Sequence, residues 1–425
     1  MFLILPSVLK IGRVLLLTPL LVAVVAPAII VQPAQGKIMV NKKRLIKLTQ
    51  KLIQVNSENP PGDESRIAAF VKNYLEKLGL KTKIYEFKKK RSNVVAHLLG
   101  RNKKRCLLIT PHLDTVPAGE SWHFSPFQGK IRAGRIYGLG ATDCKGNLAS
   151  SLEAINSIVE DGTVLDYNLI FAATADEENG SGLGLLPLLD KGILNPDAAV
   201  VLDSDDFNII ITQKGLMHLK VKIQGRKAHG AYPWQGINAI DIAVDILKEL
   251  KTHKFIYAKN KYLKPPTLNI GTIKGGDKVN VVADWCEFEL DVRFLPGMSE
   301  GAILKYIQGI IRKYARKFSR LSGMPQNAAT IEIEGIQKPY WINKNQPLVK
   351  YLKMAAKKLK IQPRIKGSEG ATTITFFQEK DIPAIATGFG CEGCAHITDE
   401  YVKINNLYKG TMVLEEFLKI YRFCI

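Results

Sequence analysis

Apolar residues recur along this chain in two rhythms, and the switches between them divide it into parts. Residues 40–55 place Leu45, Leu48 and Leu52 on one face of a helix, and Asn59-Pro60-Pro61-Gly62 ends it. A second helix is expected from about Asp63, with Gly79 as its terminating residue. Short, continuously apolar runs follow at 107–110, 169–174 and 198–202, each stopping at polar residues, with a helix expected over 148–160. Buried strands alternating with helices indicate an α/β fold, a mainly parallel sheet with helices on both faces. In such sheets ligands collect at the carboxyl ends of the strands. After Gly215 the pattern becomes alternating: Leu219, Val221 and Ile223 point one way along 216–224. A helix over 238–250, strands at 267–273 and 285–294, a helix over 300–318 and a strand at 330–335 complete a split βαβ order, ferredoxin-like. From about Gln346 helix and parallel strand return, and the run 382–387 leads towards His396. The expected division is therefore 37–213 and 336–425 for one large domain, with 214–335 inserted as a smaller α+β domain.

The first 36 residues stand apart. Lys10 and Arg13 precede an apolar stretch over 14–31, no acidic residue occurs before Glu58, and Ala34-Gln35-Gly36 offers a small-residue cleavage site. The segment reads as a signal peptide or a membrane anchor, which implies a periplasmic, extracellular or membrane-anchored protein. The remainder is globular in composition, with 46% hydrophobic and 23% charged residues over 425 positions. The net charge of +21 comes from lysines scattered through most segments. No basic stripe with interleaved aromatics is present, so nucleic acid is not an expected partner. Cys391-Glu-Gly-Cys394 is a lone CxxC, read as either a disulfide or two small loop residues.

Chemistry concentrates where the apolar runs stop. His112, Asp143, Glu178, Asp203 and His396 occur in that order, with Glu177 beside the third. Two zinc ions carry four positive charges, which three carboxylates and one hydroxide would balance. Glu177 then remains as a base. In His112-Leu-Asp114 both polar side chains fall on one face of an extended chain, so the carboxylate is suited to fixing the imidazole tautomer. The glycine-rich run 138–146 lacks the terminal Lys-Ser/Thr of a phosphate loop and presents Asp143 at a helix start instead. Cys144 follows Asp143 directly and, on extended chain, faces away from it.

Taken in order, Pro111-His-Leu-Asp-Thr-Val-Pro117, the 138–146 run and Thr174-Ala-Asp-Glu-Glu178 resemble the successive signatures of the M20 metallopeptidase family. The likeness continues through Lys214-Gly215, the 225–229 run Gly-Arg-Lys-Ala-His, Gly236-Ile-Asn-Ala239, Gly275-Gly276 with Asn280, Asp291-Val-Arg293 with Pro296-Gly297, and Ala395-His396 with Asp399-Glu400. That family includes glutamate carboxypeptidases, aminoacylases, acetylornithine deacetylase and succinyl-diaminopimelate desuccinylase. The resemblance implies that Asp143 bridges two ions, that His112 and Asp203 hold one, and that Glu178 and His396 hold the other. Zinc is the expected metal, with cobalt or manganese as alternatives. Asp114 would orient His112 and Glu177 would be the general base. His229 would reach across a homodimer formed through the inserted domain to polarise the substrate carbonyl, and Asn280 and Arg293 would bind substrate. The 367–373 segment Gly-Ser-Glu-Gly-Ala-Thr-Thr lacks an aspartate common in the family, a departure that bears on the substrate pocket. Asp203, where deacetylase and desuccinylase relatives tend to carry glutamate, leans towards aminoacylase and dipeptidase relatives.

The reading that results is a dinuclear zinc hydrolase cleaving small peptides or N-acyl amino acids with a recognised carboxylate, carboxypeptidase- or dipeptidase-like. The alternative is a deacylase of the acetylornithine or succinyl-diaminopimelate type, and the rival of another class is a metal-free binding protein.

Overall fold

Four parallel strands form the centre of the large sheet, and each carries one of the apolar runs, which in Asn102–Thr110 is confined to its buried second half. The computed structural model describes residues 40–322 and 328–423; the expected export segment at 1–36 lies outside the described residues. Asn102–Thr110 pairs in parallel with Tyr167–Ala173 on one side and Ala198–Leu202 on the other, and Ala384–Thr387 extends the parallel set beyond Ala198–Leu202. All five residues of Ala198–Leu202 are buried, as expected of a strand covered on both faces. Antiparallel strands finish the edges: Lys81–Glu86 and Ser92–Leu98 beside Tyr167–Ala173, and Ile209–Gln213 with Tyr340–Trp341 at the other end. The polar sequence of Lys81–Glu86 hides this edge strand from a hydrophobicity reading, and its side chains are indeed mostly solvated.

Helix Lys145–Glu160 is buried along nearly its whole length, and both Lys42–Ile53 and Ile404–Ile420 pack on it. It starts directly after Cys144, three residues before the expected start, because the glycine-rich run turns straight into the helix. Lys42–Ile53 buries Leu45, Leu48 and Leu52, the stripe its sequence spacing requires.

Residues 215–337 build a second sheet with a core of its own. The order is Thr267–Gly275, Trp285–Phe294, Gly215–Gln224, Ala329–Gln337, all antiparallel. Helices Ala239–Thr252 and Glu300–Ser322 pack against it over Met217, Leu219, Val221, Phe288 and Ile307. Alternate residues of Gly215–Gln224 are buried and the others face outward. Among the described residues no helix is long and apolar enough to cross a membrane.

Candidate metal centre

Three central strands end side by side, and each hands its last turn a polar residue. Asn102–Thr110 runs into His112, Tyr167–Ala173 into Asp176-Glu177-Glu178, and Ala198–Leu202 into Asp203. The register carries past the strand ends: His112 bridges Thr174 in parallel, and the Leu113 amide donates to the Thr174 carbonyl at 2.7 Å. His396 arrives from the loop after Ala384–Thr387 with φ 58°, a left-handed conformation that costs a non-glycine residue energy and is found where side-chain direction matters.

Asp143 is the centre of the arrangement. His112 Nε2 lies 2.9 Å from one carboxylate oxygen and His396 Nε2 lies 3.2 Å from the other. His396 Nε2 also lies 3.2 Å from Glu178. Ligand-capable atoms converge within 4.8 Å of one another in three groups: His112, Glu177 and Asp203; Asp143, Glu178 and His396; and His112, Asp143 and Cys144. A carboxylate facing a nitrogen on each oxygen, flanked by one further carboxylate on each side, is a donor set suited to two small divalent cations. These donors thus fit divalent metal.

Electrostatics tell the same story. Burial pushes the Asp203 carboxyl up to about 7, reinforced by Asp143, and burial with Asp203 holds Glu177 well above the usual carboxylate range. Burial works against charge on Asp143 too, yet the His112 and His396 hydrogen bonds overcome it and lower its pKa. Hydrogen bonds to Asp143 and Glu178 raise the His396 imidazole to about 11. So many acids in one buried space call for cations, and here the imidazoles take that part. Burial pushes the Cys144 thiol up to about 12, and its sulfur exchanges hydrogen bonds with the His112 backbone. A protonated thiol so engaged is a packing group.

The surrounding shell fixes these positions. His112 Nδ1 lies 3.0 Å from the Asp114 carbonyl oxygen and 3.5 Å from its carboxylate, so the main chain makes the closer contact. The Asp114 carboxylate accepts from the amides of Glu177 and Glu178, each at 3.1 Å, and from Asn59 Nδ2 at 2.9 Å. Asp176, also left-handed at φ 65°, is buried and held by Arg91 at 2.8 Å, by Asn59 and by the Leu183 amide. The acidic run is therefore no solvated loop. Glu400 accepts from the amides of Gly140, Thr142 and Asp143 at 2.7–2.9 Å and pins the turn that presents Asp143. Gly140 has φ 79°, and a Cβ there would meet Thr115 Cγ2 at 2.7 Å, so the turn requires glycine. Asn59, Arg91 and Glu400 acquire these roles only in three dimensions. Glu400 alone had a sequence signal, as part of the Asp399-Glu400 pair.

A cavity of about 730 Å³ opens over the centre, walled by Glu177, Glu178, Asp203 and His396 on one side and by Leu216 and His218 of the second sheet on the other. Three expected site residues lie elsewhere in this copy. His229 and Asn280 are exposed and adjacent, the Gly230 amide donating to the Asn280 carbonyl at 2.8 Å and His229 bridging Val281. Arg293 pairs in register with Leu216 but is forked onto Asp291 at 2.7 and 3.1 Å. Cys391 and Cys394 are free buried thiols, Cys394 donating its amide to the Cys391 carbonyl.

Comparison with known proteins places this geometry in context. The profile described as "Peptidase family M20/M25/M40" matches residues 108–420. An uncharacterized metallohydrolase of Methanocaldococcus jannaschii is 30% identical over 416 residues, covering 88% of this chain and 98% of that protein. A probable succinyl-diaminopimelate desuccinylase of Staphylococcus aureus is 27% identical over 409 residues, covering 88% and 97%. Among solved structures, a tripeptidase from Staphylococcus aureus superposes with a TM-score of 0.75 at 25% identity, covering 90% of this chain and 99% of that one.

Proposed function

The chain belongs to peptidase family M20/M25/M40, and from that premise we propose that it uses two zinc ions to hydrolyse the amide bond of a small peptide carrying a free carboxylate. The family is one of metal-dependent hydrolases acting as peptidases or deacylases. The observation that carries the finer reading is Asp143, with an imidazole on each oxygen and an acidic residue flanking each imidazole. In this reading His112, Asp143, Asp203, Glu178 and His396 would hold the ions, His112 and Asp203 at one end of the Asp143 carboxylate and Glu178 and His396 at the other. Bound there, the ions supply Lewis-acid polarisation of the amide carbonyl and lower the pKa of the attacking water.

The remaining work falls to side chains of the protein. Glu177 takes the proton of the attacking water and returns it to the leaving amine, a transfer its place beside Asp203 and His112 allows. Asp114 keeps His112 in one tautomer and, through two amides, holds Glu177 and Glu178 in place. The 214–335 segment acts as lid and dimerisation domain, and His229 of one copy stabilises the developing oxyanion in the other. Asn280 and Arg293 hold the substrate carboxylate once Arg293 exchanges Asp291 for it. The similarity to the probable succinyl-diaminopimelate desuccinylase supports a second reading, removal of an acyl group from an amino acid. Residues 1–36 are proposed to direct the enzyme out of the cytoplasm or to anchor it; fractionation of cells expressing the full chain tests this.

Glu177→Gln is the direct test of the chemistry. Turnover should fall by ~10²–10⁴ while the bound metal, counted by elemental analysis, stays unchanged. Loss of metal together with activity would make Glu177 a ligand instead.

A further inference from the structure

A second cavity of about 320 Å³ meets the first at Asp143, Asp203 and Thr372. Its wall carries Asp205, Asn208, Lys366, Glu369 and Glu392. Asn208 is only 3% exposed, and its side-chain oxygen has no hydrogen-bond partner among the described residues. A buried acceptor left so is uncommon, because folding strips it of water. The other charges on the wall are matched. Lys366 lies 2.6 Å from Glu392, which Arg364 also reaches at 2.9 Å, and Glu369 lies 2.7 Å from Lys214. The Asp205 carboxylate forms no hydrogen bond or ion pair with a described residue. Outside the metal ligands, the cavity is therefore lined by one carboxyl group and one neutral acceptor that have no hydrogen-bond partner among the described residues.

We propose that this cavity is the subsite for a primary ammonium group of the substrate, with Asp205 and Asn208 as its acceptors. An ammonium carries one charge, three donors and no acceptor, which complements that pair. The first cavity leads to the second sheet, where the carboxylate end of the substrate is assigned, so the Asp205 cavity falls to the acyl half. The substrate class is then a small peptide with a free amino terminus rather than an N-acylated amino acid. This rests on the amide-hydrolase reading of the metal centre, and a binding measurement separates the two.

The test uses the zinc-loaded full chain with glycyl-L-glutamate and its N-acetyl derivative. The free amine should be preferred by ~100-fold or more in kcat/KM, since a site built for a polar group rejects the analogue that leaves its acceptors unpaired. Asp205→Asn should cut that ratio at least ~10-fold, chiefly through KM, and Asn208→Leu should do the same should the first variant fold poorly. Calorimetric titration of both peptides into Glu177→Gln reads the preference without turnover. Equal handling of the two peptides, binding of neither, or a ratio unmoved by both substitutions would overturn the subsite. Should the wild-type chain hydrolyse neither peptide, the amide-hydrolase reading falls; a calorimetric preference for the free amine that Asp205→Asn removes would still establish the subsite.

Discussion

Asp203 is the residue whose protonation most clearly links the centre to stability. Its carboxyl stands at about 7 in the fold against 3.8 ordinarily, through burial and the charge of Asp143. A group raised in this way keeps its proton in the fold while the unfolded chain loses it. Its stabilising contribution is complete below the unfolded value and is lost as pH rises through about 7. Glu177 and Glu400 shift in the same direction, both through burial first. The metal-free protein should therefore melt at progressively lower temperature as pH is raised from about 4 to about 7. Zinc should reverse the trend by meeting the same carboxylates with fixed charge. Thermal melts across that range with and without zinc check this, and a metal-free melting temperature rising steadily with pH would contradict it. That His112, Asp143, Glu178, Asp203 and His396 converge was legible from the chain, because they stand where apolar runs stop or a glycine-rich turn begins. Their mutual distances were not, since His396 reaches Asp143 through a loop whose left-handed turn leaves no mark in hydrophobicity.

Elements set the positions of these residues, and two buried clamps fix the elements. Glu400 ties the 140–143 turn to the last strand of the small sheet formed by Lys130–Arg132, Arg135–Tyr137 and Tyr401–Lys403. Arg91 joins Glu64, at the start of helix Ser65–Lys77, to Asp176 beside Glu177 and Glu178, the joined three all buried. Removing the cation strands two carboxylates in low dielectric. Arg91→Leu should cost ~3–5 kcal/mol in urea unfolding of the metal-free chain, whereas a loss under ~1 kcal/mol would make the triad ornamental. The central strands were readable as apolar runs and the second sheet as period-two alternation. Lys81–Glu86 was not, because an edge strand bonded on one side tolerates charge on both faces. The Arg91 clamp leaves no mark in the sequence for a related reason: Arg91 sits in a lysine-rich stretch, and only the fold distinguishes it from its solvated neighbours.

At the scale of the whole molecule, the second sheet ends in two strands paired on one side only, Thr267–Gly275 and Ala329–Gln337. Such edges invite pairing with another copy. With His229 and Asn280 exposed and away from the cavity wall, a dimer through 214–335 is what would complete the site. Sedimentation should give a dimer at micromolar concentration, and His229→Ala should lower kcat without dissociating it; a monomer with full activity would remove His229 from the chemistry. The family was legible because its signatures recur in fixed order along most of the chain. Substrate preference was not, because it depends on cavity walls assembled from distant segments such as 205–208 and 366–369. The central claim is a metal pair that activates water, and the most direct measurement counts metal and turnover in one purified sample, against dipeptides, C-terminal glutamyl peptides, and N-acetyl and N-succinyl amino acids. About two zinc ions per chain, with hydrolysis that a chelator abolishes and zinc restores, is the expected result. A folded chain that binds no metal and hydrolyses none of these after reconstitution would contradict it.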